Sequence, residues 1–104
     1  IGDLSPNNFK HIIFNNGSHE SVGGQPTIGH KINFEKIFLA AGYNTVIQAS
    51  TIKEVSNGVD SLIKSVGPSL LQVFIKKGAR ANLGRPTIST HKNKEDFMNY
   101  LKSI

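Results

Sequence analysis

The chain is organised around the stretch Ile12-Ile13-Phe14-Asn15-Asn16-Gly17-Ser18-His19-Glu20-Ser21-Val22-Gly23-Gly24-Gln25-Pro26-Thr27. Its three leading apolar residues predict a buried strand. The remainder is polar and rich in glycine, and long ordered loops in small domains are usually functional. Asn16 offers an amide oxygen, and Gly17 allows the tight backbone turn that brings a following carbonyl alongside it. Oxygen ligands of this kind beside phosphates suit Mg²⁺ or Ca²⁺, so the stretch predicts a cation-binding loop.

Outward from this loop, the apolar pattern alternates between strands and helices. The predicted elements are a strand over 11–14, a helix over 33–41, a strand over 43–49, a helix from 51 to the Gly67-Pro68 stop, a strand over 69–76, a loop over 77–90 and a helix over 93–103. This order is typical of a parallel sheet with crossover helices. We therefore predict a single α/β domain over residues 1–104, with a three-layer α/β/α arrangement.

Local signals set the predicted helix ends. Asn33 is a good N-cap, Gly42 is a typical C-terminal residue, and the stretch from Thr51 to Glu54 has capping-box spacing. Gly58 weakens the second helix, which suggests that a neighbour packs closely there. The predicted buried side of this helix consists of Ile52, Val55, Val59, Leu62 and Ile63, and that of the last helix of Phe97, Met98, Tyr100 and Leu101.

Ligands of parallel sheets bind at the carboxyl ends of the strands. The glycine-rich stretch and the loop over 77–90 each follow such an end, so we expect them at the same edge of the sheet. Three strands make a narrow sheet with exposed edges. Together with a first residue that is not Met, this predicts a piece of a longer polypeptide.

Composition limits the function classes. The net charge of +5, with its surplus in the second half, favours anionic ligands. No aromatic residues interleave with the basic ones, so a nucleic-acid partner is not expected. The absence of cysteine excludes disulfides, thiolate metal sites and cysteine nucleophiles. No membrane-spanning run or signal peptide is visible, so we expect a cytoplasmic protein without a membrane partner.

Two motifs carry a family resemblance. Asn15-Asn16-Gly17 at the end of a strand resembles the second half of the metal-binding motif of thiamine-diphosphate-dependent enzymes. The stretches His19-Glu20-Ser21-Val22-Gly23-Gly24-Gln25-Pro26-Thr27 and Gly78-Ala79-Arg80-Ala81-Asn82-Leu83-Gly84-Arg85-Pro86-Thr87 resemble phosphonopyruvate decarboxylase and its relative sulfopyruvate decarboxylase. The resemblance extends over most of the chain and implies the C-terminal thiamine-diphosphate-binding domain of such an enzyme.

The resemblance implies a set of ligand-binding residues in the glycine-rich stretch. The side-chain oxygen of Asn16 and the backbone carbonyl of Ser18 would bind a Mg²⁺ ion that neutralises the cofactor diphosphate. The cofactor-binding residues implied are Asn15, Asn16, Gly17, Ser18, Gly23 and Gly24. On the residues alone, an ordinary turn and ordinary loop flexibility remain open alternatives.

Catalytic and substrate-binding residues are also implied. His19 could act directly on the substrate or on a proton, whereas the alternative for the pair His19 and Glu20 is a solvated loop position. Arg80 and Arg85 could bind the substrate phosphonate, because a guanidinium fork fits a tetrahedral oxyanion. A structural ion pair or a solvated face is the alternative for the two arginines.

The implied activity is conversion of 3-phosphonopyruvate to phosphonoacetaldehyde and CO₂, a step towards 2-aminoethylphosphonate. The family's metal-binding aspartate and cofactor-activating glutamate are not among these 104 residues, so we expect upstream domains, at least a dimer, and no activity in isolation. A sulfopyruvate decarboxylase subunit and a non-catalytic anion-binding module are the alternatives.

Overall fold

The computed structural model describes all residues from 1 to 104. The three strands of the main sheet alternate with helices as the apolar pattern predicts, and the glycine-rich stretch, which shows no strand period in the sequence, contains two further short strands. The strands are β1 (Lys10–Asn15), β2 (Ser18–His19), β3 (Gln25–Pro26), β4 (Thr45–Ala49) and β5 (Ser69–Phe74), and the helices are α1 (Phe34–Ala40), α2 (Ile52–Lys64) and α3 (Thr90–Ser103). Two long loops follow the carboxyl ends of strands: the glycine-rich loop (residues 16–27) follows β1, and the basic loop (residues 75–89) follows β5.

The main sheet has three parallel strands in the order β1-β5-β4. Leu71 at the centre of β5 is in register with Ile12 on one side and Ile47 on the other. The chain thus passes from one edge of the sheet to the other through α1 and returns to the centre through α2. The strands β2 and β3 form a separate antiparallel ribbon within the glycine-rich loop.

Helices cover both faces of this sheet. On one face α2 packs against β4 and β5, where Ala49, Leu62, Leu71 and Val73 form the buried cluster. On the other face Phe38 of α1 makes edge contacts with the rings of His11 and Tyr43. Strand alternation places His11 and Leu71 on opposite faces. The α/β prediction, with a parallel sheet between helices, is therefore confirmed.

The predicted helix ends are confirmed as well. The side chain of Asn33 accepts a hydrogen bond from the Lys36 N–H at 2.9 Å. Gly42 has φ of +90° at the end of α1. Thr51 and Glu54 form a complete capping box at the start of α2. These ends depend on residues three or four positions apart, which is why the sequence predicts them well.

The close approach expected at Gly58 is present. A β-carbon added there would lie 2.8 Å from Cδ1 of Leu71. The predicted stripe of α2 is correct at Val55, Val59 and Leu62 but wrong at its ends, because Ile52 is 92% and Ile63 67% exposed. Ile52 lies in the first turn of α2, and Ile63 is rotated by about 100° from Leu62 around the helix.

The last helix departs most from prediction. It begins at Thr90, three residues earlier than expected, with Ser89 as its N-cap. No residue of α3 is buried, and every residue from 75 to 104 is exposed. The predicted buried side is therefore wrong, since its residues are 44–60% exposed. Its four residues are Phe97, Met98, Tyr100 and Leu101. No helix in the structure has the length and apolar character needed to cross a bilayer.

Candidate functional site

The candidate site lies where β1 and β5 end side by side. Asn15 is paired with Phe74, and the Ile75 N–H donates to the Asn15 carbonyl at 3.0 Å. The glycine-rich loop and the basic loop therefore leave the sheet at the same edge. A cleft of about 340 Å³ opens there, lined by residues 13–19, 27–29, 32 and 34.

Asn15 shapes the loop from within. Its side chain is buried, its Nδ2 donates to the Gly29 carbonyl at 2.8 Å, and its Oδ1 accepts from the Gly17 N–H at 3.0 Å. Both ends of the amide are thus bonded to the protein itself. Asn15 fixes the turn that follows β1, and its predicted cofactor contact remains a prediction.

Gly17 is required by its conformation and its surroundings. Its φ is +62°, a region that residues with a β-carbon rarely adopt. An added β-carbon would also lie 2.8 Å from the ring of His30. That ring packs edge-on against Phe74 of the central strand. The glycine therefore lets the loop turn directly over a histidine that is held against the sheet.

Asn16 and Ser18 form the oxygen-bearing part of the turn. Oδ1 of Asn16 accepts from the Ser18 N–H at 3.0 Å, and its Nδ2 donates to Oε2 of Glu20 at 2.7 Å. An amide oxygen has two acceptor positions, so one position on Oδ1 is not used by the Ser18 N–H. Asn16 and Ser18 also line the cleft. This arrangement provides a neutral oxygen at the position where the sequence predicts a metal ligand.

The backbone N–H groups of Gly23 and Gly24 are already used in hydrogen bonds within the loop. Gly23 and Gly24 have φ of +111° and +75°, and their N–H groups donate to the carbonyls of Glu20 and His19 at 3.5 and 2.9 Å. The N–H groups of Gly17 and Ser18 are likewise used inside the loop. Direct binding of phosphate by Gly23 and Gly24 would require these internal bonds to open.

Of the three residues predicted to contact the substrate, only one lies at the cleft. His19 is exposed and lines the cleft. Arg80 and Arg85 are exposed and lie outside the cleft lining. Their loop nevertheless contacts the glycine-rich loop, because Nζ of Lys77 donates to the Gly24 carbonyl at 3.1 Å.

A second contact between the loops was not predicted. The Gly78 N–H donates to Oε1 of Glu20, whose other oxygen binds Asn16. The sequence did contain a signal, because Glu20 is the only carboxylate in the glycine-rich loop. A single carboxylate at this edge of the sheet is expected to accept hydrogen bonds from the backbone N–H groups of the neighbouring loops.

The donor set fits part of a magnesium site. Asn16 and Ser18 supply neutral oxygens, which are suitable ligands for this hard cation. No group of three His, Asp or Glu side chains is placed to hold a metal ion. Asn16 and Ser18 therefore fit the neutral ligands of a magnesium site, and no cluster of carboxylates accompanies them.

Comparison with known proteins extends these observations. No known family profile matches the chain. Phosphonopyruvate decarboxylase of Streptomyces viridochromogenes is 29% identical over 89 residues, which is 86% of this chain and 22% of that protein. Phosphonopyruvate decarboxylase of Streptomyces hygroscopicus is 29% identical over 96 residues, which is 92% of this chain and 24% of that protein. The chain thus spans about a quarter of the length of these relatives and is similar, over most of its own length, to part of phosphonopyruvate decarboxylase.

Proposed function

We propose that this chain supplies the metal-binding and diphosphate-binding part of a thiamine-diphosphate-dependent phosphonopyruvate decarboxylase. The observation that carries the proposal is the similarity to two phosphonopyruvate decarboxylases over 86% and 92% of the chain. The position of Asn16 and Ser18 at the carboxyl end of a parallel strand supports it, because such ends hold ligands in α/β proteins. On this proposal residues 1–104 form the C-terminal cofactor domain.

The roles of the residues follow from their atoms. Oδ1 of Asn16 and the carbonyl of Ser18 would bind Mg²⁺, which would hold the diphosphate against the glycine-rich loop. Asn15 and Gly17 would maintain the turn that carries Asn16 and Ser18, through the bond from the Gly17 N–H to Asn15 Oδ1. Bound thiamine diphosphate would supply the ring that accepts the electrons left behind when CO₂ departs.

Substrate contacts are proposed for three exposed residues. His19 lines the cleft and could donate or accept a proton near the substrate. Arg80 and Arg85 would bind the phosphonate after the basic loop moves towards the cleft, since both lie outside its lining. Sulfopyruvate carries a similar tetrahedral oxyanion, so the same residues would serve a sulfopyruvate decarboxylase. Rates for the two keto acids, measured with the complete enzyme, distinguish these substrates.

The proposed site needs groups from outside the chain. The metal-binding aspartate and the cofactor-activating glutamate expected from the resemblance would come from upstream domains or a partner copy in a cytoplasmic oligomer. We therefore expect the isolated chain to release no CO₂ from phosphonopyruvate. Turnover by the pure chain would contradict this division of the site.

Phosphorus NMR of thiamine diphosphate tests the proposal without requiring turnover. Adding the chain should broaden the diphosphate resonances in the presence of Mg²⁺ but not after chelation, and Asn16→Ala should abolish the effect. Asn8→Ala is a matched control, because Asn8 is an exposed asparagine that precedes β1, whereas the glycine-rich loop follows the other end of that strand. Equal broadening by both variants would contradict a metal role for Asn16.

A non-catalytic anion-binding module is the second candidate. The net charge of +5 and the exposed basic loop favour it. It predicts that diphosphate resonances broaden equally with and without Mg²⁺, and that the effect weakens steeply with added salt.

A further inference from the structure

One carboxylate joins two loops that lie far apart in sequence. Glu20 accepts from Nδ2 of Asn16 through Oε2, at 2.7 Å, and from the Gly78 N–H through Oε1. Hydrogen bonds to an ionised group are about twice as strong as neutral ones. Glu20 therefore links the turn that carries Asn16 to the start of the basic loop.

A neighbouring contact reinforces this link. Lys77, which precedes Gly78, donates from Nζ to the Gly24 carbonyl at 3.1 Å. Gly78 has φ of +105°, while a β-carbon added there would meet nothing within 4 Å. Glycine is thus favoured at 78 by the backbone conformation that directs its N–H to Glu20 and not by lack of space.

The contact also determines which way the Asn16 amide faces. A carboxylate only accepts hydrogen bonds, so the atom of Asn16 that meets Glu20 must be the donor Nδ2. Oδ1 is then held on the opposite side, where it accepts from the Ser18 N–H. Without Glu20 the Ser18 N–H alone would hold this orientation of the amide.

We propose that Glu20 is a positioning residue that orients Oδ1 of Asn16 for a cation and anchors the basic loop beside it. The cation-binding part of this inference rests on the function proposed above. Each oxygen of Glu20 accepts one donor from the protein, Asn16 Nδ2 or the Gly78 N–H, so the role inferred for Glu20 is to hold these two groups in place. The inference thus gives a role to the second member of the His19-Glu20 pair.

The test uses amide NMR of the 104-residue chain with Glu20→Gln. Glutamine has the shape of glutamate but presents a donor to either Gly78 or Asn16. Either the Gly78 contact breaks, or the Asn16 amide turns over and its bond from the Ser18 N–H is lost. We expect hydrogen exchange at the Ser18 or the Gly78 amide to rise about tenfold or more, given the usual strength of bonds to charged groups. Glu35→Gln is the control, because Glu35 is an exposed glutamate at the start of α1. Unchanged exchange at both amides in a folded Glu20→Gln chain would overturn the inference.

A metal titration separates positioning from general stability. With thiamine diphosphate present, the Mn²⁺ concentration that half-broadens the Asn16 to Ser18 amides should rise about tenfold in Glu20→Gln, for the same reason. The urea midpoint should match that of Glu35→Gln. If Glu20→Gln does not fold, Glu20→Asp provides the same test, since its shorter side chain reaches only one of the two partners.

The outcomes distinguish this inference from the proposed function. Broadening in the wild type that is unchanged in the Glu20 variants would overturn the role of Glu20 and leave the proposed metal site standing. Absence of broadening in the wild type would overturn the proposed metal site. The exchange rates at Ser18 and Gly78 would then still decide whether Glu20 joins the two loops.

Discussion

At the scale of single residues, the site depends on how a few polar atoms are bonded within one turn. Asn15 and Asn16 are adjacent and chemically identical, yet they have different surroundings. Asn15 is buried with both ends of its amide bonded to the protein, whereas Asn16 lines the cleft and keeps an acceptor position on Oδ1. The motif resemblance named both residues, and only the fold separates the loop-shaping asparagine from the candidate metal ligand.

Gly17 provides a stability prediction at this scale. Gly17→Ala should lower the free energy of unfolding by about 2–4 kcal/mol, because it combines an unfavourable φ with a contact against His30. Gly24→Ala is the control, since Gly24 also has a positive φ but nothing within 4 Å of an added β-carbon. Gly24→Ala should lower the free energy of unfolding by only about 1 kcal/mol. Urea unfolding measures both, and equal losses would show that His30 does not restrict this position.

At the scale of elements, α2 is the helix whose ends and packing are best defined. Its capping box was predictable because Thr51 and Glu54 lie within one turn of each other. The inward face of α2 was predictable only at its centre, where the sheet lies opposite. The exposure of Ile52 depends on where the sheet ends, which local periodicity does not show, whereas Ile63 is exposed because it is rotated by about 100° from Leu62.

The packing of α2 against β5 predicts the effect of a small change. Gly58→Ala should lower the free energy of unfolding by about 1 kcal/mol, because the clash with Leu71 exceeds the gain in helix propensity. Asn57→Ala, on the exposed side of the same turn, should instead raise it by about 0.5 kcal/mol. Thermal unfolding of the two variants checks this, and stabilisation by both would mean that Leu71 moves aside freely.

The capping box of α2 also predicts that the free energy of unfolding depends on pH. Hydrogen bonds from the Ser50 and Thr51 N–H groups hold the pKa of Glu54 below its ordinary value of 4.5. The unfolded chain therefore binds this proton at a higher pH than the folded chain does. The stabilising contribution of Glu54 is complete well above pH 4.5 and is lost as the pH falls through its lowered pKa.

Urea unfolding of wild type and Glu54→Gln at about pH 6 and about pH 3 measures this contribution. The advantage of the wild type over the variant should be present at the higher pH and smaller at the lower one. An advantage that stays constant would show that the carboxylate charge of Glu54 does not contribute through its backbone hydrogen bonds.

At the scale of the whole molecule, the chain is more extended than its length requires. Its radius of gyration is 17.1 Å, compared with about 13 Å for a compact chain of this size. Only 12 of 104 residues are buried, and none of them follows Val73. The amphipathic pattern of α3 predicted a buried side, and this was wrong because a local pattern does not show whether anything covers that side. Contacts such as Glu20 with Gly78 were missed for the same reason, because they join residues far apart in sequence.

The exposed apolar side of α3 predicts that copies of the chain associate through it, and that it does not stabilise the fold of a single chain. Replacing Phe97 and Leu101 by Ser should change the free energy of unfolding by no more than about 0.5 kcal/mol, because both residues are exposed. The same double substitution should also reduce the concentration-dependent association of the chain, which sedimentation measures. Ser substitutions at Asn99 and Lys102, on the opposite side of α3, are the control. A loss of stability above about 2 kcal/mol would mean that α3 packs on the core.

The central claim, that Asn16 and Ser18 hold a metal bound to a diphosphate, is tested most directly by mapping Mn²⁺ broadening over every backbone amide. The account predicts selective broadening around residues 16–18 when thiamine diphosphate is present. It also predicts little broadening there with Mn²⁺ and thiamine lacking the diphosphate. Broadening that is absent from these residues, or that is the same with both ligands, would contradict the proposed site.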